Sequence, residues 1–430
     1  MKNSVPEGRL ARAGIAGKTA LKLGVAQLKH HAKRPFLSPS RQQEERDSLD
    51  DRNARLLFAT LSQLRGTALK AAQMLSMEVD LLPEAYRREL KKSCHQVPPL
   101  NRVLVRKVLL EEFGEAPETL FRDFAGTAFA AASLGQVHAA TLHDGTAVAV
   151  KIQYPGIHVS IDSDMTMLRQ LARGLPNTRL ILQSLEEIHA RLREEVDYLH
   201  EAANTRWFGE HLNLDGIALP TLHAGLCGKR VLTTSRIDGQ HLDDWLKSEP
   251  DQASRDRAGQ RLYDLFVHSV RELRCLHADP NPGNYLFHPD GRLSVLDFGC
   301  VKRISTEFAA MLPRILGAYL DDDPEALFTA YRALGMLHGE DGERLYEKIL
   351  RPFGHWLVEP LREPAFDFAR HADYSSHGKE HFQRLSQLGQ SKLNRLADEF
   401  IFFDRTLYGL CRIFERLGAK VSMRQHWIDA

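Results

Sequence analysis

The chain has 430 residues, of which 43% are hydrophobic and 26% are charged, and its formal net charge is +1. This composition is that of an ordinary globular protein, and the length corresponds to roughly two to three folding units. A nearly neutral chain has no general electrostatic attraction for polyanions, so we expect no nucleic-acid partner.

Cysteine usage and hydropathy restrict the class of protein further. The five cysteines are odd in number, dispersed, and never spaced as a CxxC motif. This pattern indicates a reducing compartment and argues against disulfides and a structural zinc site. No run approaches the roughly 18 apolar residues that a membrane-spanning helix needs, so we expect a soluble protein body.

Residues 1–52 are predicted to be a basic amphipathic segment followed by a linker. No acidic residue lies between Glu7 and Glu44, whereas lysines and arginines accumulate there. Such a segment is typical of a helix on an anionic membrane surface, of a transit peptide, or of a solvated tail. The polar stretch 33–52 contains prolines and is predicted to be the linker. On a helical wheel one face carries small and apolar residues, namely Leu10, Gly14, Gly17, Leu21, Val25, Leu28 and Ala32.

Apolar periodicity places helices and strands along the rest of the chain. Residues 53–115 are predicted to be mainly helical, and strands follow at 129–142 and 146–153, joined by the hairpin signal HDG. Helical segments follow, the clearest over 185–211, and then short strands near 217–222 and 230–237. After Gly239 helices dominate, interrupted only by a loop and hairpin over 277–299. The sequence therefore predicts a strand-rich lobe, 116–238, followed by a helix-rich lobe, 239–430.

The stretch HADPNPGNYLF, residues 277–287, carries the strongest chemical signal. Asn284 lies five residues after Asp279, and the motif LDFG brings Asp297 to the end of the following hairpin. Two carboxylates and one amide oxygen form a hard ligand set that suits Mg²⁺ bound together with substrate phosphates. In phosphoryl transfer this arrangement supplies a base, Asp279, and two metal ligands, Asn284 and Asp297.

A phosphoryl-transfer site also needs a cation for the phosphates and a loop that covers them. Lys151 in VAVKIQ lies on a predicted strand between apolar neighbours, and the acidic helix RLREEVDYLHEAAN offers its carboxylate partner. The covering loop would be AFAAASLGQVHAA, in which alanines stand where glycines are usual. Alanine forbids positive φ, so this loop cannot wrap phosphates as a glycine-rich loop does, and by itself it is typical of a core strand.

Taken together, these motifs resemble the UbiB/AarF family of atypical protein-kinase-like proteins, and most of all its branch associated with coenzyme Q biosynthesis. The resemblance runs from about Asn53 nearly to the C-terminus. Its motifs are RGTALKAAQMLS with LLPEAY and HQVPPL, AAASLGQVH, VAVKIQYPGI, EVDYLHEAAN, and HADPNPGN with LDFG.

The resemblance implies an α+β, two-lobed protein-kinase-like fold with an N-terminal helical extension, 53–115, over the cleft and a mainly helical C-lobe. It implies ATP and Mg²⁺ as cofactors, with hydrolysis of ATP or action on a small lipid-like molecule. Glu201 would pair with Lys151. The other residues implied to contact or tune the nucleotide are Ala130, Ala131, Ala132, Ser133, Lys70, Gln73, Glu195 and Asp197.

Four departures from the family pattern affect what we expect. Ala72 replaces the glycine of the KxGQ signature, and Asn281 replaces the second histidine of HADPHPGN. Ser235 and Arg236 stand where a glutamate and an apolar residue are usual, which alters the adenine-side contacts. Many bacterial relatives carry C-terminal transmembrane helices that this chain lacks, so any membrane attachment is expected to be peripheral.

Two other functions remain open from the sequence. One is a small-molecule phosphotransferase of the aminoglycoside or choline kinase type, and the other is a nucleotide-sensing scaffold without turnover. Expected partners are the nucleotide, an isoprenoid or quinone-type lipid or a phenolic molecule, a membrane surface, and a second copy or a biosynthetic complex. The expected location is cytoplasmic or peripheral at the inner membrane, and mitochondrial in a eukaryote.

Overall fold

The computed structural model describes residues 9–33, 38–64, 66–77, 82–91, 102–132, 134–173, 175, 178–335, 337, 339–378 and 395–428. The chain divides into two compact units. The first comprises Met1–His200 and His223–Thr234, and the second comprises Glu201–Leu222 and Ser235–Ala430.

Helices precede the strands in the first unit. They are α1 (Arg9–Lys33), α2 (Pro39–Leu64), α3 (Gly66–Met77), α4 (Glu84–Lys91), α5 (Arg102–Phe113) and α6 (Pro117–Leu120).

Helix α2 corrects the prediction that 33–52 is a linker. Residues 39–52 form the first half of this helix. Pro39 is its first residue, a position where the missing N–H costs nothing. The residues that follow are rich in Gln, Glu and Arg, which have high helix propensity despite their polarity. A polar composition therefore led to the wrong interpretation.

The described part of the first unit contains a five-stranded sheet in the order β1-β3-β4-β6, with β2 paired to β3. Its strands are β1 (Asp123–Phe124), β2 (Ala130–Ala132), β3 (Gly135–Thr141), β4 (Ala147–Gln153) and β6 (Val231–Ser235). The predicted HDG hairpin joins β3 to β4, and Gly145 has a φ of 96° in its turn.

Strand β4 shows why this sheet holds its register. Val148, Val150 and Ile152 are fully buried on one face, against α5. Burial of each such side chain contributes about 1.5–3 kcal/mol, and a slip of one residue would expose all three. The alternation places Lys151 on the opposite face.

Helices α7 (Ile157–Ala172) and α8 (Thr178–Glu195) complete the first unit, and α9 (Tyr198–His211) follows. The sequence predicted continuous helix over 185–211. The helix instead ends at Glu195, and the Asp197 carboxylate accepts a hydrogen bond from the backbone N–H of His200 at 3.0 Å. Asp197 therefore caps a new helix, as short polar side chains do at N-termini.

The second unit is mainly helical. It contains β5 (Ile217–Ala218), α10 (Leu242–Lys247), α11 (Gln252–Arg271), β7 (Cys275–His277), β8 (Tyr285–Phe287), β9 (Leu293–Val295), β10 (Val301–Arg303), α12 (Thr306–Leu320), α13 (Pro324–Ala333), α14 (Gly339–Leu345), a π-helical stretch (Tyr346–Leu350), α15 (Arg351–Val358), β11 (Phe366–Asp367), α16 (Arg395–Leu417) and β12 (Lys420–Val421). Strand β8 pairs with β9, and β7 pairs with β10.

Each unit has its own hydrophobic core. In the first, α2, α3, α7 and α8 share one core, which includes Leu61, Ala68, Met165 and Leu192. In the second, a larger aromatic core surrounds α11, α12 and α16, and Phe308 and Phe414 are completely buried in it. Among the helices that the structure describes, none is both long and apolar enough to cross a bilayer.

Candidate active site

The loop after β7 places Asp279 at a fixed point of the second unit. His277 ends β7 opposite Val301 of β10. The next residue, Ala278, donates its backbone N–H to the carbonyl of Cys300 at 2.9 Å. This bond extends the β7–β10 pairing up to Asp279, which is half-buried.

Pro280 fixes the loop from its other side. A Cβ added to Gly409 of α16 would lie 2.3 Å from the Cγ atom of Pro280. The close approach of this proline to α16 therefore requires glycine at position 409. Pro280 thus has a packing role, which sequence alone could not assign.

Asn284 contacts Asp279 directly. Its Nδ2 donates to the Asp279 Oδ2 at 2.7 Å. A single 3₁₀ turn, Pro282–Asn284, sets this geometry, and the Asn281 side chain caps the turn by accepting from the N–H of Gly283 at 3.0 Å. The departure from the family pattern at Asn281 therefore has a structural use.

Asp297 follows β9 and is positioned by two backbone contacts. Its Oδ1 accepts the N–H of Gly299 at 2.8 Å, and its carbonyl oxygen contacts the Nε2 of His277 at 2.7 Å. The N–H of Leu296 donates to the carbonyl of Asn284 at 2.9 Å. Asn284 and Asp297 are therefore held on neighbouring ends of one hairpin.

Helix α9 braces the segment after Asp297. Asn204 Nδ2 donates to the carbonyl of Phe298 at 2.9 Å, and the rings of Phe208 and Phe298 are 4.8 Å apart. The Glu201 carboxylate lies beside Gly299, because a Cβ on that glycine would be 3.8 Å from its Oε2. Asn204 and His277 stand in the quoted motifs, but the sequence alone predicted no role for either residue.

The residues of this loop and hairpin fit a hard divalent cation. Because the Asn284 amide nitrogen faces Asp279, its carbonyl oxygen is the atom that it can offer to a cation. Asp297 supplies a carboxylate. Within the described ranges, no group of three or more His, Cys, Asp and Glu side chains could hold a metal ion. One carboxylate and one amide oxygen are ligands of the kind that Mg²⁺ uses when phosphates complete its coordination.

Burial affects the electrostatics next to Asp279. Burial, and to a smaller extent the Asp279 carboxylate, raise the pKa of Tyr285 well above its ordinary value. The phenol is therefore protonated throughout the neutral range.

Lys151 belongs to the first unit and lies on β4 opposite Val137 of β3. Its side chain is half-buried, and Nζ lies 4.9 Å from the centre of the Tyr198 ring, a cation–π distance. Glu201 belongs to the second unit, and its predicted pairing with Lys151 stays a prediction.

The alanine-rich motif is a tight hairpin. Ala130, Ala131 and Ala132 form β2 and pair with the start of β3. Ser133, at the turn, lies outside the described residues. A Cβ on Gly135 would lie 2.4 Å from the carbonyl oxygen of Ile152, so this glycine permits close packing. The three alanines are described as half-buried or exposed strand residues, so their predicted contact with a nucleotide remains a prediction.

Helix α3 brings Lys70 to the acidic element. Its Nζ lies 3.9 Å from the Glu195 Oε1, and both side chains are partly exposed. Asp197 is engaged as the cap of α9. The side chain of Gln73 lies outside the described residues. The structure therefore brings Lys70 and Glu195 together.

A buried contact holds the helix that carries Lys70. Thr67, one turn before Lys70, is completely buried, and its hydroxyl donates to the Asp164 carboxylate of α7. The same hydroxyl lies 3.2 Å from that of Ser160. Lys70 is thus presented by a helix anchored to the core of its own unit.

Comparison with known proteins gives a consistent result. The model of the ABC1 atypical kinase-like domain matches residues 89–330, more than half of the chain. The mitochondrial atypical kinase COQ8B of Rattus norvegicus is 30% identical over 442 residues, covering 100% of this chain and 81% of the relative. The probable serine/threonine-protein kinase abkA of Dictyostelium discoideum is 28% identical, covering 98% and 78%.

A solved structure is also similar. The complex of Rv3197 with erythromycin from Mycobacterium tuberculosis has a TM-score of 0.62 and 26% identity, covering 90% of this chain and 97% of that one. With the family match, this similarity confirms the predicted α+β kinase-like fold.

Proposed function

Because the chain belongs to the ABC1 atypical kinase-like family, we propose that it binds MgATP and hydrolyses it or transfers its γ-phosphoryl group. Kinase-like phosphotransferase or ATPase activity, with nucleotide binding, is the general activity of this family. The observation that carries the proposal is the 2.7 Å contact of Asn284 with Asp279, next to the hairpin end that positions Asp297.

Asp279 acts as the base, or positions the attacking water. The acceptor oxygen forms a bond to the γ-phosphorus as the bond to the β–γ bridging oxygen breaks, and ADP leaves. The acceptor proton moves to the Asp279 Oδ1, because Oδ2 already accepts from Asn284. The half-buried position of Asp279 keeps the carboxylate accessible to an acceptor.

Asn284 and Asp297 would hold Mg²⁺, which neutralises charge on the transferred phosphoryl group. Lys151 binds the α- and β-phosphates, and Glu201 orients Lys151. In this proposal, Gln73, Ser133 and six further residues contact the nucleotide or affect its binding. They are Ala130, Ala131, Ala132, Lys70, Glu195 and Asp197.

A peptide is the wrong acceptor for this chain. Between Gly299 and the first residue of α12, Thr306, the chain forms only the three-residue strand β10 and short connections. Ser305 already caps α12 by accepting from the N–H of Phe308 at 3.2 Å. No long segment is left there to hold an extended peptide, so water or a small molecule is the acceptor we favour.

The proposed setting is ubiquinone or isoprenoid-lipid biosynthesis, in keeping with the branch that the motifs resemble. A quinone-type lipid or phenolic molecule is the proposed ligand, and a homodimer or biosynthetic complex the proposed assembly. Peripheral attachment at the inner membrane, mitochondrial in a eukaryote, stays part of the proposal. The division of the chain into functional parts at 1–52, 53–115, 116–238 and 239–430 also stays part of the proposal.

Phosphate release from ATP tests the role of Asp279. We expect Mg²⁺-dependent turnover by the purified protein, and Asp279→Asn should lower kcat by roughly 10²- to 10⁴-fold, the usual contribution of a positioned base. The stabilisation by MgATP should survive this change. Asp215→Asn, at an exposed turn of the same unit, is the matched control and should keep full turnover. Undiminished turnover in Asp279→Asn would remove the proposed base.

A further inference from the structure

The second unit has a groove between α13 and the segment formed by α14 and the π-helical stretch. Its volume is about 510 Å³, and it is open to solvent. None of the residues that line it belongs to the loop or hairpin of the candidate active site. The groove is therefore a separate feature of the surface. Its lining includes Glu325, Phe328, Thr329, Glu343, Tyr346 and Glu347.

Carboxylates supply the charge of this groove. Glu325, Glu343 and Glu347 are all exposed, and they come from both of its walls. Arg351 pairs with Glu347 at 3.2 Å, but both side chains remain exposed, so this ion pair contributes little. Among the described residues that line the groove, none is basic. A cation is therefore the complementary ligand.

Two aromatic rings meet at nearly a right angle in the same groove. The centres of the Phe328 and Tyr346 rings are 5.6 Å apart, and the ring planes are inclined at 78°. Aromatic faces attract guanidinium and ammonium groups. Arg332, one turn further along α13, already places its guanidinium carbon 4.7 Å from the centre of the Phe328 ring. This contact shows that a guanidinium group can reach that ring.

The hydroxyl of Tyr346 gives an independent reason to expect a ligand. Tyr346 is 2% exposed, and its hydroxyl has no hydrogen-bond partner among the residues that the structure describes. A buried hydroxyl without a partner is destabilising. Burial raises the pKa of Tyr346, and the nearby Glu347 carboxylate adds to the rise. Because Tyr346 lines the groove, a cationic N–H donor bound there supplies the hydrogen bond that the phenol oxygen lacks.

We propose that this groove binds an arginine-bearing, basic segment of a partner protein. The planar guanidinium group pairs with carboxylates, stacks on aromatic rings and donates several N–H bonds, so it matches all three features of the groove. A segment fits better than a small cation, because small-molecule sites enclose most of their ligand. This groove is open, and its carboxylates lie on two walls. The proposal does not depend on the proposed activity towards ATP.

Fluorescence anisotropy with the full chain tests the assignment. The probe is a labelled peptide of alternating arginine and alanine, and the comparison probe has lysine in place of arginine. The wild type should bind the arginine peptide more tightly. Glu325→Gln with Glu343→Gln should weaken this binding by about five- to tenfold, since each exposed charge pair contributes a factor of up to about five. Tyr346→Phe should weaken it several-fold without lowering the melting temperature, because the lost hydroxyl is unpartnered in the free protein.

The matched control is Glu307→Gln with Glu363→Gln, which removes the same charge at exposed positions of the same unit outside the groove. This variant should bind the arginine peptide as the wild type does. Arg332→Gln frees a face of the Phe328 ring and should bind it more tightly.

Three results would overturn the assignment. One is unchanged affinity in the groove variant that lacks the two glutamates. Another is an equal loss in the control variant, which would reduce the binding to general electrostatic attraction. The third is spermidine binding as tightly as the peptide with the same dependence on the two glutamates, which would assign the groove to a small polyamine. Because the readout is peptide binding, these outcomes are separate from any failure of ATP turnover.

Discussion

MgATP should stabilise the wild type, and Asp297→Asn should abolish that stabilisation. A ligand that binds only the folded protein adds about 2.7 kcal/mol at a hundredfold excess over its Kd. Asp297 provides the carboxylate at the hairpin end, where Gly299 and His277 fix its orientation. Asparagine keeps the shape and the bond from Gly299 but removes the charge that attracts the cation. Thermal melts with and without MgATP measure the effect.

Two controls make this result specific to the metal site. Asp215→Asn should keep the full stabilisation, and ATP without a divalent cation should give much less of it in the wild type. If MgATP raises the melting temperature of Asp297→Asn as much as that of the wild type, the assignment of Asp297 to the metal is wrong.

Asp404→Asn should become more stable than the wild type as pH rises. Asp404 in α16 is completely buried, and neither carboxylate oxygen has a hydrogen-bond partner in the described part of the chain. Burial raises the pKa of Asp404 well above its ordinary value of 3.8. A buried carboxyl without a partner is stable only when it is protonated.

The direction of this pH effect follows from the pKa of Asp404 in the unfolded chain and in the folded chain. The unfolded chain releases this proton near pH 3.8, whereas the folded chain retains it to a higher pH. The contribution of the Asp404 carboxyl to the free energy of unfolding is therefore fully present below the pKa that it has in the unfolded chain. It is lost as pH rises to the folded pKa, at about 1.4 kcal/mol per pH unit. Asparagine does not titrate, so the difference in free energy of unfolding, variant minus wild type, should rise with that slope.

Urea unfolding of both proteins across the acidic to neutral range measures this slope. Asp373→Asn, at an exposed position of the same unit, is the control and should show a nearly flat difference. A flat difference for Asp404→Asn as well would mean that Asp404 is ionised in the folded protein, with a partner outside the described residues.

Local signals predicted the hairpins and the loop of the candidate site. The turn residues HDG and HPDGR lie between alternating apolar strands, so β3–β4 and β8–β9 form where the pattern places them. The spacing of Asp279, Asn284 and Asp297 likewise predicted residues that the structure holds on one loop and one hairpin. Such features depend on neighbours in sequence, which is why the sequence reveals them.

Features that depend on distant residues were missed. Residues 39–52 form a polar stretch of α2 whose single apolar side chain, Leu49, is buried, so composition suggested a linker. The predicted apolar face of α1 did not include Ile15 and Leu23, whereas these two residues pack against the core of the unit. Gly409 of α16 supports the loop of Asp279, and no local pattern marks it. Asn204 stands in a quoted motif, but its contact with Phe298 joins residues 94 positions apart.

The fate of the γ-phosphate tests most directly whether this protein transfers it to water or a small molecule and not to a peptide. With radiolabelled ATP, Mg²⁺ and an added peptide, the wild type should place the label in inorganic phosphate or a small molecule and none on the peptide. Lys70→Ala should alter the turnover rate or the nucleotide preference, because Lys70 faces Glu195 at 3.9 Å from an anchored helix. The control is Lys107→Ala. Lys107 forms an exposed ion pair with Glu111 in the same unit, and its loss should change neither the turnover rate nor the nucleotide preference. Strong labelling of the peptide by the wild type, together with a silent Lys70→Ala, would contradict the account.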